Sequence, residues 1–199
     1  MYEWRKMTSE EREEVLTERK ARNQPWHSLP HWEYQGTVSF IFTATCYEHA
    51  PIIGESLARM SECEKELLAI CQQYDVEVFA WCILPNHYHL LMQTDRMKEF
   101  GKAIGQFHGR SSRQWNLEDR ATGRKAWCNY FERPMKSERH FWASLNYIHH
   151  NPVKHGYVER WQDWPFSSAH QFLEDVGRDR ALEIWQSYPV LDYGKDWDW

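Results

Sequence analysis

Two histidines one residue apart, His87 and His89, stand in an apolar run that follows Leu84-Pro85-Asn86. On a strand, side chains alternate with a period of two, so both imidazoles reach one face while Tyr88 and Leu90 face the other way. A sheet presents two nitrogen ligands to a single cation in this manner. The competing reading is two hydrogen-bonded rings on a half-buried sheet face. Further along the chain, Tyr147 and Asn151 are four residues apart, a spacing that stacks side chains on one face of a helix. If that face packs toward the histidines, Asn151 adds an oxygen donor to the same cation and Tyr147 stands beside it as a nucleophile. Taken by themselves, the tyrosine would serve equally as an interface aromatic and the asparagine as a helix C-cap.

These residues need elements to hold them. The runs Val76–Leu84 and His87–Met92 are of strand length, and Pro85 prevents them from forming one helix. Thr37–Cys46 is rich in β-branched and aromatic residues and reads as the first strand. Between them, Ser56–Tyr74 has apolar residues at Leu57, Met60, Leu67, Leu68 and Ile70, the pattern of an amphipathic helix. Met97–Trp115 repeats that pattern with Phe100, Ile104, Phe107 and Trp115. Ala126–Pro134 reads as an edge strand ended by Pro134. Ser137 can cap a third helix that runs to His150 and stops before Pro152, its buried stripe formed by Phe141, Trp142, Leu145 and Ile148. This order predicts an α+β fold, a ferredoxin-like antiparallel sheet with helices packed on it. A charged helix capped at Ser9 and a linker with Trp26 and Trp32 precede it. The expected divisions are an appendage and linker over 1–35, the domain over 36–176, and a tryptophan-rich tail over 177–199 that holds Trp185, Trp197 and Trp199.

At 199 residues the chain fits one domain with appendages. Nothing near its start reads as a signal peptide and no run approaches membrane-spanning length, so a cytoplasmic protein is expected. The five cysteines are widely spaced and never form a C-x-x-C pair, which argues against a disulfide framework or a structural zinc knuckle. The net charge of -5 hides an uneven distribution. Residues 96–140 hold 11 basic side chains against 5 acidic ones, whereas residues 35–95 hold 2 against 8. The basic segment immediately follows the histidine strand.

Three blocks in order, Leu84-Pro85-Asn86-His87-Tyr88-His89-Leu90-Leu91, Tyr147-Ile148-His149-His150-Asn151-Pro152-Val153-Lys154-His155-Gly156 and Trp164-Pro165-Phe166-Ser167-Ser168, resemble the REP-associated tyrosine transposases. These are relatives of the single-tyrosine HUH transposases of small bacterial insertion sequences. The resemblance covers the chain from about Gly36 to about Val176. It implies an HUH nuclease domain that cuts and rejoins single-stranded DNA carrying hairpin or palindromic repeats. The cofactor implied is a divalent cation, Mg²⁺ or Mn²⁺.

Carried over residue by residue, His87 and His89 are the HUH pair, Tyr147 is the nucleophile and Asn151 completes the metal site. Tyr130 departs from the family, standing where an arginine is frequent. The expected phosphate contacts are Lys98, Lys102, Arg110, Arg113, Arg124 and Lys125 of the basic segment, with Lys154 of the tyrosine block. The chemistry implied is transesterification through a 5′-phosphotyrosine link. The phenolic proton needs an acceptor, either a metal-bound water or a neighbour such as His150. The setting implied is bacterial and nucleoid-associated, with the protein a monomer or a homodimer. Other readings are a catalytically silent DNA-binding regulator on the same fold, a replication-initiator or relaxase-like nickase, and an unrelated metal hydrolase built on His149, His150 or His155.

Overall fold

β1 (Val38–Thr45) takes the centre of the sheet because both of its edges find partners. It pairs antiparallel with β3 (His87–Thr94), Thr45 opposite His87 and Val38 opposite Thr94, and on its other side with β4 (Phe131–Pro134). β2 (Glu77–Ile83) pairs with the outer edge of β3, giving the order β2-β3-β1-β4. The computed structural model describes residues 7–21 and 36–190; the expected linker with Trp26 and Trp32 and the terminal Trp197 and Trp199 lie outside the described residues.

The chain alternates strands with α2 (Leu57–Gln73), α3 (Met97–Glu118) and α4 (Glu138–Lys154), the ferredoxin-like arrangement expected of the sequence. Pro85-Asn86 makes the turn between β2 and β3, across which the Leu84 N–H donates to the His87 carbonyl at 2.8 Å. Ser56 caps α2 by accepting from the Arg59 N–H, and Ser137 caps α4 by accepting from the His140 N–H.

The alternation along β3 separates two cores. Tyr88, Leu90 and Met92 join Phe42 and Ala44 of β1 under α2 and α3, with Met60, Cys63, Leu67, Phe100, Ile104 and Phe107. Leu91 and Ile41 instead meet Leu145, Tyr147 and Ile148 of α4 on the other face. Each fully buried Leu or Phe stabilises the fold by roughly 2 kcal/mol through removal of apolar surface from water. Arg59 ties α2 to the end of α3, donating to Glu118 and Asp119 at 2.7 Å each, and Arg124 closes the cluster on Asp119 at 2.6 Å.

Several expectations are corrected. Leu57 opens α2 exposed to solvent, because at the first helical position it precedes the buried stripe. Pro152 does not end α4; it lies buried within it, and the helix runs on to Lys154. Proline costs the backbone bond it cannot donate, and here the buried flank offsets that loss. β4 is confined to Phe131–Pro134, with Trp127 joined to the sheet only by an isolated bridge to Cys46.

The packing continues past residue 176. α5 (Ala169–Val176) and α6 (Arg178–Ser187) pack beside α4, with Ala181 and Ile184 of α6 buried in the same core. The Asn146 amide donates to the carbonyls of Ile184 and Tyr188 at 3.2 and 2.7 Å, fastening α6 to α4. At the other end of the chain, α1 (Ser9–Ala21) is capped by Thr8 rather than Ser9. The Thr8 hydroxyl accepts from the Glu11 N–H and the Glu11 carboxylate accepts from the Thr8 N–H, a reciprocal capping box.

None of the five cysteines forms a disulfide among the described residues, and burial pushes the Cys46 and Cys71 thiols up to about 12 and those of Cys63 and Cys82 in the same direction. Among the described residues, no helix is long and apolar enough to cross a membrane.

Candidate functional site

His87 and His89 point from β3 toward α4, their ring centroids 4.9 Å apart and both rings almost wholly buried. α4 crosses this face with its last two turns, and its helical period brings Tyr147 and Asn151 down onto the histidines. His87 Nε2 lies 3.2 Å from Asn151 Oδ1, and the Tyr147 ring lies 5.3 Å from that of His89. His155, one further turn along, sets its ring 5.1 Å from His87. Lys154 Nζ lies 4.7 Å over the Tyr147 ring, a cation against a π face and close to the phenol. The four residues that the sequence singled out are thus neighbours. The Tyr147 side chain is 0 % exposed, because α4 is covered by the sheet on one side and by α5 and α6 on the other.

Among the described residues, no group of three or more His, Cys, Asp or Glu converges, so a cation here would need its third protein donor from an amide. Asn151 has that amide in reach. Its Nδ2 is buried and meets no hydrogen-bond partner among the described residues, while its Oδ1 faces His87. Two imidazole nitrogens and one amide oxygen make a donor set that fits a divalent ion of borderline softness such as Mn²⁺, and Mg²⁺ less closely.

The other imidazoles of α4 diverge. His149 turns away to hydrogen-bond with Ser168 Oγ at 3.0 Å, and burial lowers its pKa to about 3. His150 lies at the surface, where partial burial and then the Lys154 charge hold it toward the neutral form. A metal centre made of His149, His150 and His155 is therefore not assembled.

The basic side chains are spread over both sides of the sheet. Lys98, Lys102, Arg110 and Arg113 lie exposed on α3, across the sheet from Tyr147. Arg110 pairs with Glu66 at 3.1 Å and Arg124 is engaged by Asp119. Lys125 lies over the Tyr47 ring at 4.6 Å, beyond the end of the sheet where His87 begins. Of the expected phosphate contacts, only Lys154 touches Tyr147. Tyr130 packs on Phe42 at 4.7 Å beneath α3.

Two contacts at the histidines were missed from the sequence. Thr43 stands directly across the ladder from His89, its Oγ1 2.8 Å from Nδ1, a pairing that appears only once the strand register is known. Asn86 Oδ1 lies 2.7 Å from His87 Nδ1, and its place in the turn just before the histidine strand was the available signal.

The family model described as "Transposase IS200 like" matches residues 34–151, a span that holds His87, His89, Tyr147 and Asn151. A protein of Haemophilus influenzae, provisionally named a REP-associated tyrosine transposase, is 35% identical over 137 residues, covering 61% of this chain and 73% of its own. The REP-associated tyrosine transposase of Escherichia coli K12 is 31% identical over 103 residues, covering 51% of this chain and 58% of its own. A solved structure of a REP-associated tyrosine transposase bound to a REP hairpin superposes with a TM-score of 0.57 at 20% identity, covering 83% of this chain and 90% of that one. At that identity the likeness is one of fold.

Proposed function

The chain belongs to the family of IS200-like transposases, and we propose from that premise that it binds and cleaves single-stranded DNA through a covalent link to Tyr147. The observation that carries this reading is the convergence of Tyr147, His87, His89 and Asn151 inside the matched span. The substrate class is single-stranded DNA with palindromic hairpin repeats, by analogy with the REP hairpin held by the solved relative.

In the reaction, the Tyr147 phenolic oxygen attacks phosphorus, forming the 5′-phosphotyrosine bond as the P–O3′ bond breaks. The departing 3′-oxygen takes a proton and leaves as a hydroxyl, and the reverse attack by such a hydroxyl rejoins the strand. An ordinary phenol is protonated near neutral pH, so its proton must go to a neighbour. His150, three residues on along α4 and exposed at the surface, is the side chain we assign to accept it once the site opens. The Lys154 ammonium over the Tyr147 ring favours the developing phenolate and then neutralises the phosphate joined to it. His87, His89 and Asn151 would hold the divalent cation, which would supply Lewis-acid polarisation of a non-bridging phosphate oxygen. Burial of the phenol means that the site must open before a phosphodiester can enter.

The test is a denaturing gel after incubation with Mn²⁺ or Mg²⁺ and a panel of single strands drawn from repeats flanking the gene. The wild type should give an adduct that survives denaturation, and Tyr147→Phe should bind the same strands without forming one. Binding without an adduct across the whole panel would sink the enzymatic reading in favour of a silent binding protein.

A further inference from the structure

The tautomer of His87 can be read from its neighbours, starting outside the site. The Asn86 side chain donates through Nδ2 to the His49 carbonyl at 3.1 Å. A carbonyl only accepts, so this bond fixes which end of the amide is nitrogen. Asn86 Oδ1 then faces His87 Nδ1 at 2.7 Å, and because an amide oxygen also only accepts, Nδ1 carries the hydrogen. In a neutral imidazole the remaining nitrogen is left with a lone pair. That nitrogen is Nε2, the atom directed at Asn151 Oδ1.

The His49 carbonyl reaches Asn86 because of an unusual turn. Glu48 and His49 both adopt positive φ, 51° and 54°, a left-handed conformation disfavoured for residues with a Cβ. Such strain persists only when the surroundings over-determine it. Here the Cys46 N–H donates to the Asn86 carbonyl at 2.7 Å and the Gly54 N–H to the Pro85 carbonyl at 2.9 Å, tying the chain on either side of the turn to the β2–β3 connection, while the Tyr47 N–H donates to the Ala126 carbonyl at 2.8 Å, between α3 and β4. Gly54 is pressed so close that an added Cβ would collide with that of Pro85.

We propose that the Tyr47–His49 turn and Asn86 form a positioning device, which locks His87 as the Nδ1–H tautomer and aims its Nε2 lone pair into the site. The inference rests on the metal reading above, since a cation requires a lone pair and is turned away by an N–H. The geometry treats the two histidines differently. The partner of His89 Nδ1 is a hydroxyl, which can donate or accept, so that contact does not dictate a tautomer as the Asn86 amide does for His87.

Long-range ¹H–¹⁵N spectra of the ¹⁵N-labelled protein, taken well above the ordinary imidazole pKa, distinguish the two ring nitrogens directly. Mn²⁺ calorimetry on the same samples gives the affinity. The wild type should show His87 as Nδ1–H. Asn86→Ala should move it toward Nε2–H and weaken Mn²⁺ binding by about 10- to 100-fold, the usual effect of losing a residue that orients a ligand. Asn86→Asp keeps an acceptor for Nδ1–H, so it should retain the tautomer and recover much of the affinity, which a merely structural role for Asn86 would not explain. An Asn86→Ala protein that keeps the Nδ1–H tautomer overturns the proposal. A wild type that shows the assigned tautomer yet binds no Mn²⁺ overturns the metal reading instead, and leaves Asn86 as the residue that sets the ring.

Discussion

β3 carries two polar clusters back to back, and they are built from similar parts. Toward α3, Tyr88 Oη is hydrogen-bonded to His108 Nε2 at 2.9 Å, and the His108 ring stacks on Trp127 at 4.1 Å. Trp127 in turn donates to Ser111 Oγ at 3.0 Å, and Ser111 to the Phe107 carbonyl at 2.9 Å. Toward α4, Tyr147, His87, His89 and Asn151 meet in the same kind of burial. The first cluster joins two separate sets of hydrogen bonds, Tyr88 with His108 and Trp127 through Ser111 to the backbone, by the stack of His108 on Trp127. With His87 in the tautomer proposed above, the second directs two acceptor atoms at one another, and the Asn151 Nδ2 is without a partner among the described residues. A satisfied network holds a fold together, whereas acceptors left open can take a ligand, and on the function proposed above the comparison sets a structural tyrosine–histidine pair beside a chemical one.

The sharpest way to break this comparison is to remove the same atom on each face. Tyr147→Phe should abolish the covalent adduct with folding intact. Tyr88→Phe should leave the adduct and cost about 1–3 kcal/mol in urea denaturation, because the buried His108 Nε2 loses its partner. The reverse pattern would exchange the roles assigned to the two faces.

Next in size is His89→Ala, which keeps the nucleophile and removes one proposed metal donor. Adduct formation should slow by roughly 100-fold or more, equivalent to about 3 kcal/mol of lost charge stabilisation. His108→Gln in the same single-turnover assay should stay near the wild-type rate; equal losses in the two variants would erase the distinction.

Acid separates wild type from His108→Gln in a different way. Burial depresses His108 to about 3, below the ordinary 6.5, so the unfolded chain takes up this proton first as pH falls. Its contribution is complete above pH 6.5 and is lost progressively toward pH 3, at up to about 1.4 kcal/mol per pH unit. His149, also lowered to about 3, adds a second such slope from the α4 side. Hydrogen bonds from Arg59, then Arg124, lower Asp119 to about 2, so its loss begins only near pH 4 and the interval above belongs to the histidines. Denaturation midpoints between pH 6.5 and 4 should fall less steeply for His108→Gln than for the wild type, and parallel curves would refute the assignment.

The smallest effect concerns the cations. Lys154→Glu should weaken binding to a hairpin-bearing single strand by about tenfold and lower the salt slope by about 1, as expected for one phosphate contact. Lys102→Glu, across the sheet on α3, should change both much less. If Lys102 proves the more important, the nucleic acid tracks over α3 and the two faces share the work.

The strands were legible because Pro85 interrupts two apolar runs of strand length, and the pairing of His87 with His89 followed from the period of two. The spacing of four put Tyr147 and Asn151 on one helix face, and the resemblance of the three sequence blocks, not that spacing, singled them out. What escaped the sequence depends on which partner covers each surface. The basic side chains of α3 read as a track beside the histidine strand, yet α3 packs on Tyr88 while the histidines face α4. Pro152 read as a terminator because local sterics were weighed without the core that encloses the helix. Ala181 and Ile184 were hidden among the charges of α6, whose apolar face is narrow. The hydrogen bond from Asn86 to His49 depends on two non-glycine residues at positive φ, a conformation that no pattern of residue types announces.

The position of β1 in the sheet also bears on how the protein is made. It is the first of the four strands to leave the ribosome, yet both of its partners, β3 and β4, come later in the chain. Until they emerge, the nascent chain carries a long apolar strand with two open edges, the kind of segment that chaperones shield and that aggregates when left alone. The order of synthesis also places the two histidines ahead of the tyrosine. A polypeptide interrupted before Glu138 would have all four strands and both imidazoles but not Tyr147, so the nucleophile proposed here arrives only after the sheet that holds the histidines has been completed.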